Sequence, residues 1–311
     1  MRAVLVFAWA VVAVVSGYVE IESPFNYHQK VGIPLAARIK ADEDLLLRRS
    51  ATDEKIVGGV VANQISHPYL AGLVINFWNV AGQSVCGSSL LTTNRLVTAA
   101  HCWFDGVNQG SMFTVVLGSQ FLFSGGTRIT TTTVVMHPQW TTWNLNNDVA
   151  VIYLPTSVLY TQNIQPIALP TQLSDTFVGE IALASGYGKT SDLGVSSSTT
   201  ISQVYLPVIT VAQCQAIFGS SIVQSSTLCT SGIGGVGICG GDSGGPLVIN
   251  RNGQNILVSL PYPLDKGLLR ESSLDDAQSF AILLDTNIFI KAPRRRSIFC
   301  FTCNTLYCLP K

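Results

Sequence analysis

A histidine, an aspartate and a serine stand in three short strings far apart in the chain: TAAHC around His101, NNDVAVIYL around Asp148 and CGGDSGGPL around Ser243. Singly, each has an ordinary explanation. A histidine beside a cysteine is commonly structural, an aspartate before an apolar strand is commonly a turn residue, and glycine-rich serine loops are frequent. Together they supply a nucleophile, a base of near-neutral pKa and a carboxylate able to fix that base's tautomer. Those are the requirements for activating a hydroxyl.

A zinc reading fails on spacing, because His101 next to Cys102 has no companion pair such as C-x2-C nearby. Neither a metal nor a cofactor is expected. The 18 Lys plus Arg balance 18 Asp plus Glu, and zero net charge predicts no nucleic-acid partner. With 12% charged residues, 47% hydrophobic residues and a mean hydropathy of +0.37, disorder is excluded as the dominant state. A length of 311 residues allows about two domains or one large one.

The elements that must position the three residues lie in a charge-poor body. Residues 1–17, MRAVLVFAWAVVAVVSG, have a basic start at Arg2, an apolar run and small residues Ser16 and Gly17. This is a signal-peptide pattern, too short for a membrane span, and it places the protein outside the cell. Residues 18–55 mix acids and bases and contain no cysteine, which reads as a solvated pro-segment. From Ile56 onward, short apolar or β-branched runs such as YLAGLVINF, MFTVVLGS, RITTTTVVM and IALASGYG alternate with Gly, Asn, Ser and Pro clusters. Turn-punctuated strands of this kind indicate an all-β barrel or sandwich. All eight cysteines lie at Cys86 or later, and no N-x-S/T sequon is present.

These strings, with IVGG at Ile56 and GDSGGP at Gly241 to Pro246, resemble the chymotrypsin-like (trypsin-like) serine peptidases over residues 56–258. The chain order His, Asp, Ser agrees with that family. The resemblance implies two six-stranded antiparallel β-barrels. It implies that Ser243 attacks the scissile carbonyl, that His101 shuttles the proton, that Asp148 orients His101 and that the backbone N–H groups of Gly241 and Ser243 form the oxyanion hole. It also implies tryptic activation after Lys55, capture of the freed Ile56 ammonium by Asp242, and the disulfides Cys86–Cys102 and Cys214–Cys229. The pocket base falls at Gly237, where no carboxylate awaits Lys or Arg, so an apolar preference of chymotrypsin-like or elastase-like kind is expected. The glycine-rich lead-in GGVGICGGDSGG looks like that of insect digestive chymotrypsins. Protein or peptide substrates, an activating trypsin-like peptidase and protein inhibitors are the expected partners of a monomer that engages no membrane.

The resemblance stops near Val258. The family's last apolar strand, its Ser-Trp-Gly-like segment, a partner for Cys239 and a C-terminal helix are not recognisable in residues 259–311. Pro261 and Pro263 stand where the strand belongs and remove ladder donors. The second barrel is therefore expected to be incomplete, with an open edge and an unassigned pairing for Cys239, Cys300, Cys303 and Cys308. The rise in charge density there points to an altered transcript end, the competing reading being an evolved tail. Two other functions compete with a peptidase: a non-catalytic homologue that binds protein without cleaving it, against which the intact Ser243 argues, and a lipase or esterase, which would need the strand-turn-helix setting of a nucleophile elbow.

Overall fold

The structure, a computed structural model, describes residues 24–52, 66–142, 146–172, 174–188, 201–232, 237–238, 240–262 and 278–283. The signal segment, Lys55, Ile56, Cys239 and the three tail cysteines lie outside these residues.

Seven strands form the first sheet: β1 (Leu70–Phe77), β2 (Ser84–Thr92), β3 (Arg95–Thr98), β4 (Gly110–Leu117), β5 (Thr127–Thr131), β6 (Val134–Met136) and β7 (Ala150–Tyr153). Their order is β5-β4-β1-β2-β3-β7-β6. Only Thr132 and Thr133 separate β5 from β6. One extended segment therefore gives its first half to β4 and its second half to β7, and the expected six-stranded ring results. The Thr131 hydroxyl donates to Tyr153 O at 2.6 Å, and Tyr153 N donates to Thr133 O at 3.0 Å, so the changeover is itself bonded. Phe113, Leu73, Leu90, Leu96, Leu117 and Ile152 fill the interior.

The second barrel comprises β8 (Ile181–Gly186), β9 (Ser202–Ile209), β10 (Thr227–Ser231), β11 (Leu247–Arg251), β12 (Gln254–Tyr262) and β13 (Gln278–Leu283). β11 and β12 make a hairpin through Asn252 and Gly253, both at positive φ (53° and 81°), the backbone that a tight two-residue turn needs. α2 (Val211–Phe218) starts at a Thr210/Gln213 capping box and carries Cys214, which is bridged to Cys229 of β10. A third apolar cluster, including Tyr69, Val97, Val149, Val248 and Leu257, joins the two barrels.

The all-β, two-barrel architecture is that expected from the sequence. The gap expected at the C-terminal edge of the second barrel is filled: β13, drawn from the tail, pairs with β12 on one side and β10 on the other and closes the ring. Pro261 does not prevent this, for a geometrical reason. In an antiparallel ladder a residue's N–H and C=O point to the same side. Pro261 O accepts from Gly244 N at 3.1 Å, so its missing donor faces the Gly244 loop and the ladder to β13 is untouched.

The segment before the barrels is not solvated. A π-helical turn at His28–Gly32 runs into α1 (Ile33–Thr52), and Tyr27, His28, Leu35, Ala36, Ile39 and Glu43 are buried against the barrels. Spacings of three, four and seven along this run put Leu35, Ala36 and Ile39 on one buried stripe that Glu43 continues, while Arg38, Lys40 and Asp44, with Leu45 and Leu47, face outward. Charge density hid that stripe from the sequence reading.

Candidate active site

Asp148 is aimed by the turn before β7. Asn147 sits at φ 61°, a left-handed conformation that asparagine tolerates better than most residues. Asp148 then binds His101 at two points: Oδ1 accepts the His101 backbone N–H at 2.8 Å and Oδ2 accepts from the ring Nδ1 at 2.6 Å. A carboxylate can only accept, so Nδ1 carries the hydrogen and Nε2 is the nitrogen able to take a proton. His101 itself lies in a 3-10 turn, Ala100–Cys102, after β3, and is held by the Cys86–Cys102 disulfide to β2. The sulfurs of Cys86 and Cys102 lie close to the His101 ring, but both are consumed by the disulfide and offer a cation no thiolate.

Ser243 comes from the loop preceding β11. That loop is pressed onto the first barrel: Gly87 N of β2 donates to Ser243 O at 2.8 Å. The approach leaves no room for side chains. A Cβ on Gly87 would lie 2.7 Å from Gly245 Cα, and one on Gly244, at φ 73°, would lie 2.3 Å from Thr98 Oγ1. Gly87 and Gly244 thus each have a steric cause, and Gly244 a conformational one as well. Asp242 points the other way, its Oδ1 accepting from Gly188 N at 2.8 Å. Gly237 is half-buried beside Ile238, which packs in the second barrel's core. The structure therefore brings His101, Asp148 and Ser243 to the seam between the barrels, with Gly241 and Asp242 immediately before the serine.

Both His101 and Ser243 are 0% exposed. What covers them is the N-terminal segment, the feature that the sequence reading missed. The Tyr27 ring packs edge-on to the His101 ring with centroids 4.8 Å apart, and its hydroxyl donates to Val85 O at 3.0 Å. Burial pushes the Tyr27 phenol well above its ordinary range, against the smaller opposing pull of the Ser243 side chain and the Gly241 backbone donor. Ser243 Oγ, though near enough to act on the phenol, makes no hydrogen bond of normal geometry among the described residues.

Next to Tyr27, His28 is enclosed by Ser84 Oγ (2.9 Å from Nδ1), the rings of Tyr27 and Phe77, the Asp105 carboxylate and His101. Burial depresses its pKa from 6.5 to about 4, with Asp105 opposing and His101 adding to the shift. The folded value lies below the unfolded one, so stability present above pH 6.5 is lost as pH falls through about 4. The difference is worth about 3 kcal/mol. Glu43, whose carboxyl burial raises, acts in the opposite sense, so the comparison needed is with His28→Asn. Urea unfolding at several pH values should show the parent losing about 3 kcal/mol relative to that variant between pH 6.5 and 4.

Comparison with known proteins gives a consistent result. The family model described as Trypsin matches residues 56–262. Brachyurin of Leptuca pugilator is 37% identical over 201 residues, 64% of this chain and 82% of that protein. Serine protease 1 of Rattus norvegicus is 34% identical over 208 residues, 66% of this chain and 79% of that protein. The solved structure of HL collagenase superimposes with a TM-score of 0.63 at 29% identity, covering 73% of this chain and 93% of the collagenase.

Proposed function

Because the chain belongs to the trypsin family of serine endopeptidases, we propose that it is a secreted zymogen, activated by cleavage after Lys55, that hydrolyses peptide bonds through Ser243, His101 and Asp148. The observation that carries the reading is the two-point bond from Asp148 to His101, made beside a serine loop pinned to β2 through Gly87.

In this reading His101 Nε2 takes the proton from Ser243 Oγ as the oxygen attacks the scissile carbonyl, and passes it to the leaving amine. Asp148 keeps Nδ1 protonated and stabilises the imidazolium that forms. The backbone donors of Gly241 and Ser243 hold the oxyanion, each worth roughly 10²- to 10³-fold in rate. An acyl group is left on Ser243 until His101, now the base, activates water to release it. The free Ile56 ammonium would reach Asp242 and order this loop.

No carboxylate is placed at Gly237, so the first pocket takes apolar side chains. The natural substrates are proteins or peptides, and the activator is another trypsin-like peptidase. After limited tryptic cleavage at Lys55 and separation from the released segment, peptide anilides ending in Phe or Leu should be cleaved faster than those ending in Arg. Equal or greater rates on Arg would refute the pocket assignment, and no hydrolysis of any anilide would refute the peptidase reading.

A further inference from the structure

Residues 24–52 form a strap over the site. At one end Asn26 N and His28 N donate to Asp105 O (3.1 Å) and Oδ2 (2.9 Å), in the loop just past His101. Asn108 Nδ2 returns a bond to Asn26 Oδ1 at 2.9 Å. In the middle, Val31 and Leu35 lie against Gly240 and Gly241, where a Cβ would meet them at 2.7 and 2.3 Å. At the far end, Glu43 accepts from Leu122 N at 2.6 Å and Phe123 N at 3.0 Å. Lys40 lies over the Phe123 ring at 6.0 Å.

We propose that this strap is an intramolecular inhibitor, with the Tyr27 side chain seated where a substrate's reacting carbonyl must lie. The inference rests on the peptidase reading and extends it. The phenol faces the groups that would handle a carbonyl: the His101 ring, the Ser243 side chain and the Gly241 backbone donor. A ring at that position excludes a scissile bond sterically, and the phenol offers no acyl carbon for Ser243 to attack. It is an occupant that cannot be turned over.

The mode of release follows from the sequence. Residues 1–85 hold no cysteine, so after a cut at Lys55 nothing covalent ties the strap to the barrels. Cleavage alone leaves a two-piece complex, and activity appears when the strap dissociates or is cut again, for instance at exposed Lys30 or Lys40. A non-covalent blocker also makes activity depend on dilution.

The test uses the full chain cut after Lys55 by limited digestion, in wild-type form and as Tyr27→Ala and Glu43→Gln. Gel filtration shows whether the strap stays with the barrels, and specific activity on a peptide anilide is followed on dilution. The expected wild-type result is co-elution of the strap, with at least a tenfold rise in specific activity on dilution. Tyr27→Ala should be active without dilution, and Glu43→Gln should lose the strap at higher protein concentration than the wild type does. A strap that fails to co-elute overturns the proposal, as does a co-eluting strap with equal activity in wild type and Tyr27→Ala. A cut protein that stays silent once the strap has left refutes the peptidase reading and the inhibitor with it, whereas activity unaffected by the strap refutes the inhibitor alone.

Discussion

Ser243→Ala is expected to lower kcat on a peptide anilide by roughly 10⁶-fold, the size of loss found when the nucleophile of such a triad is removed, while leaving the fold as stable as before. The second half of this expectation comes from the structure. Ser243 Oγ is buried and makes no hydrogen bond of normal geometry among the described residues, so its removal costs the fold no more than a weak contact with the Tyr27 phenol and relieves a desolvated hydroxyl. Thermal unfolding of the uncut chain should therefore shift little, or upward. A variant that lost both activity and stability would show that the hydroxyl is structural. Residual hydrolysis near the parent rate would show that another group is the nucleophile.

The second large effect concerns β13. Ending the chain after Tyr262 removes a strand that pairs along Thr227 to Ser231 of β10 and along Ser259 to Tyr262 of β12. At about 1 kcal/mol net for each ladder hydrogen bond, the loss approaches the ~5–15 kcal/mol that a domain has in total. Two strand edges would open at once, next to buried Leu228 and Leu260, and open apolar edges pair with other chains. The truncated protein should collect in the insoluble fraction or melt far below the full chain. Ala281→Pro in the full chain should reproduce part of this. Opposite Pro261, whose polar groups face Gly244, Ala281 directs its own toward Leu228 of β10, and proline there deletes a donor. A soluble truncation melting with the full chain would show that β13 adds nothing to the barrel.

What could be read from the sequence was whatever is encoded locally. The segments around His101, Asp148 and Ser243 are each shaped by their immediate neighbours: a disulfide cysteine next to His101, an asparagine that can take positive φ before Asp148, and glycines that allow the Ser243 loop to press onto β2. Such signals lie within a few residues of the groups they serve. The strap was not legible, because its buried stripe of Tyr27, Leu35, Ala36 and Ile39 is thin and embedded among charges that suggest solvent. Only the groove it fills reveals it. Glu43 shows the same limit: an acid at helical spacing looks exposed until the Leu122 and Phe123 amides are found opposite it. Pro261 misled in the other direction. A proline forbids a strand only on the side where its missing donor is needed, and that side is set by long-range pairing, which no local pattern states. β13 itself, QSFAIL, is a short apolar run whose partners lie up to 55 residues away in sequence.

The most direct measurement is reaction with a biotinylated fluorophosphonate, before and after cleavage at Lys55 and removal of the strap, with the adduct located by peptide mass spectrometry. A serine oxygen made nucleophilic by His101 displaces fluoride and keeps the phosphonyl group, so the account predicts one adduct per chain, on Ser243, in the cleaved and freed protein, and almost none in the intact chain. Absence of an adduct from the freed protein, or an adduct on any residue other than Ser243, would contradict it.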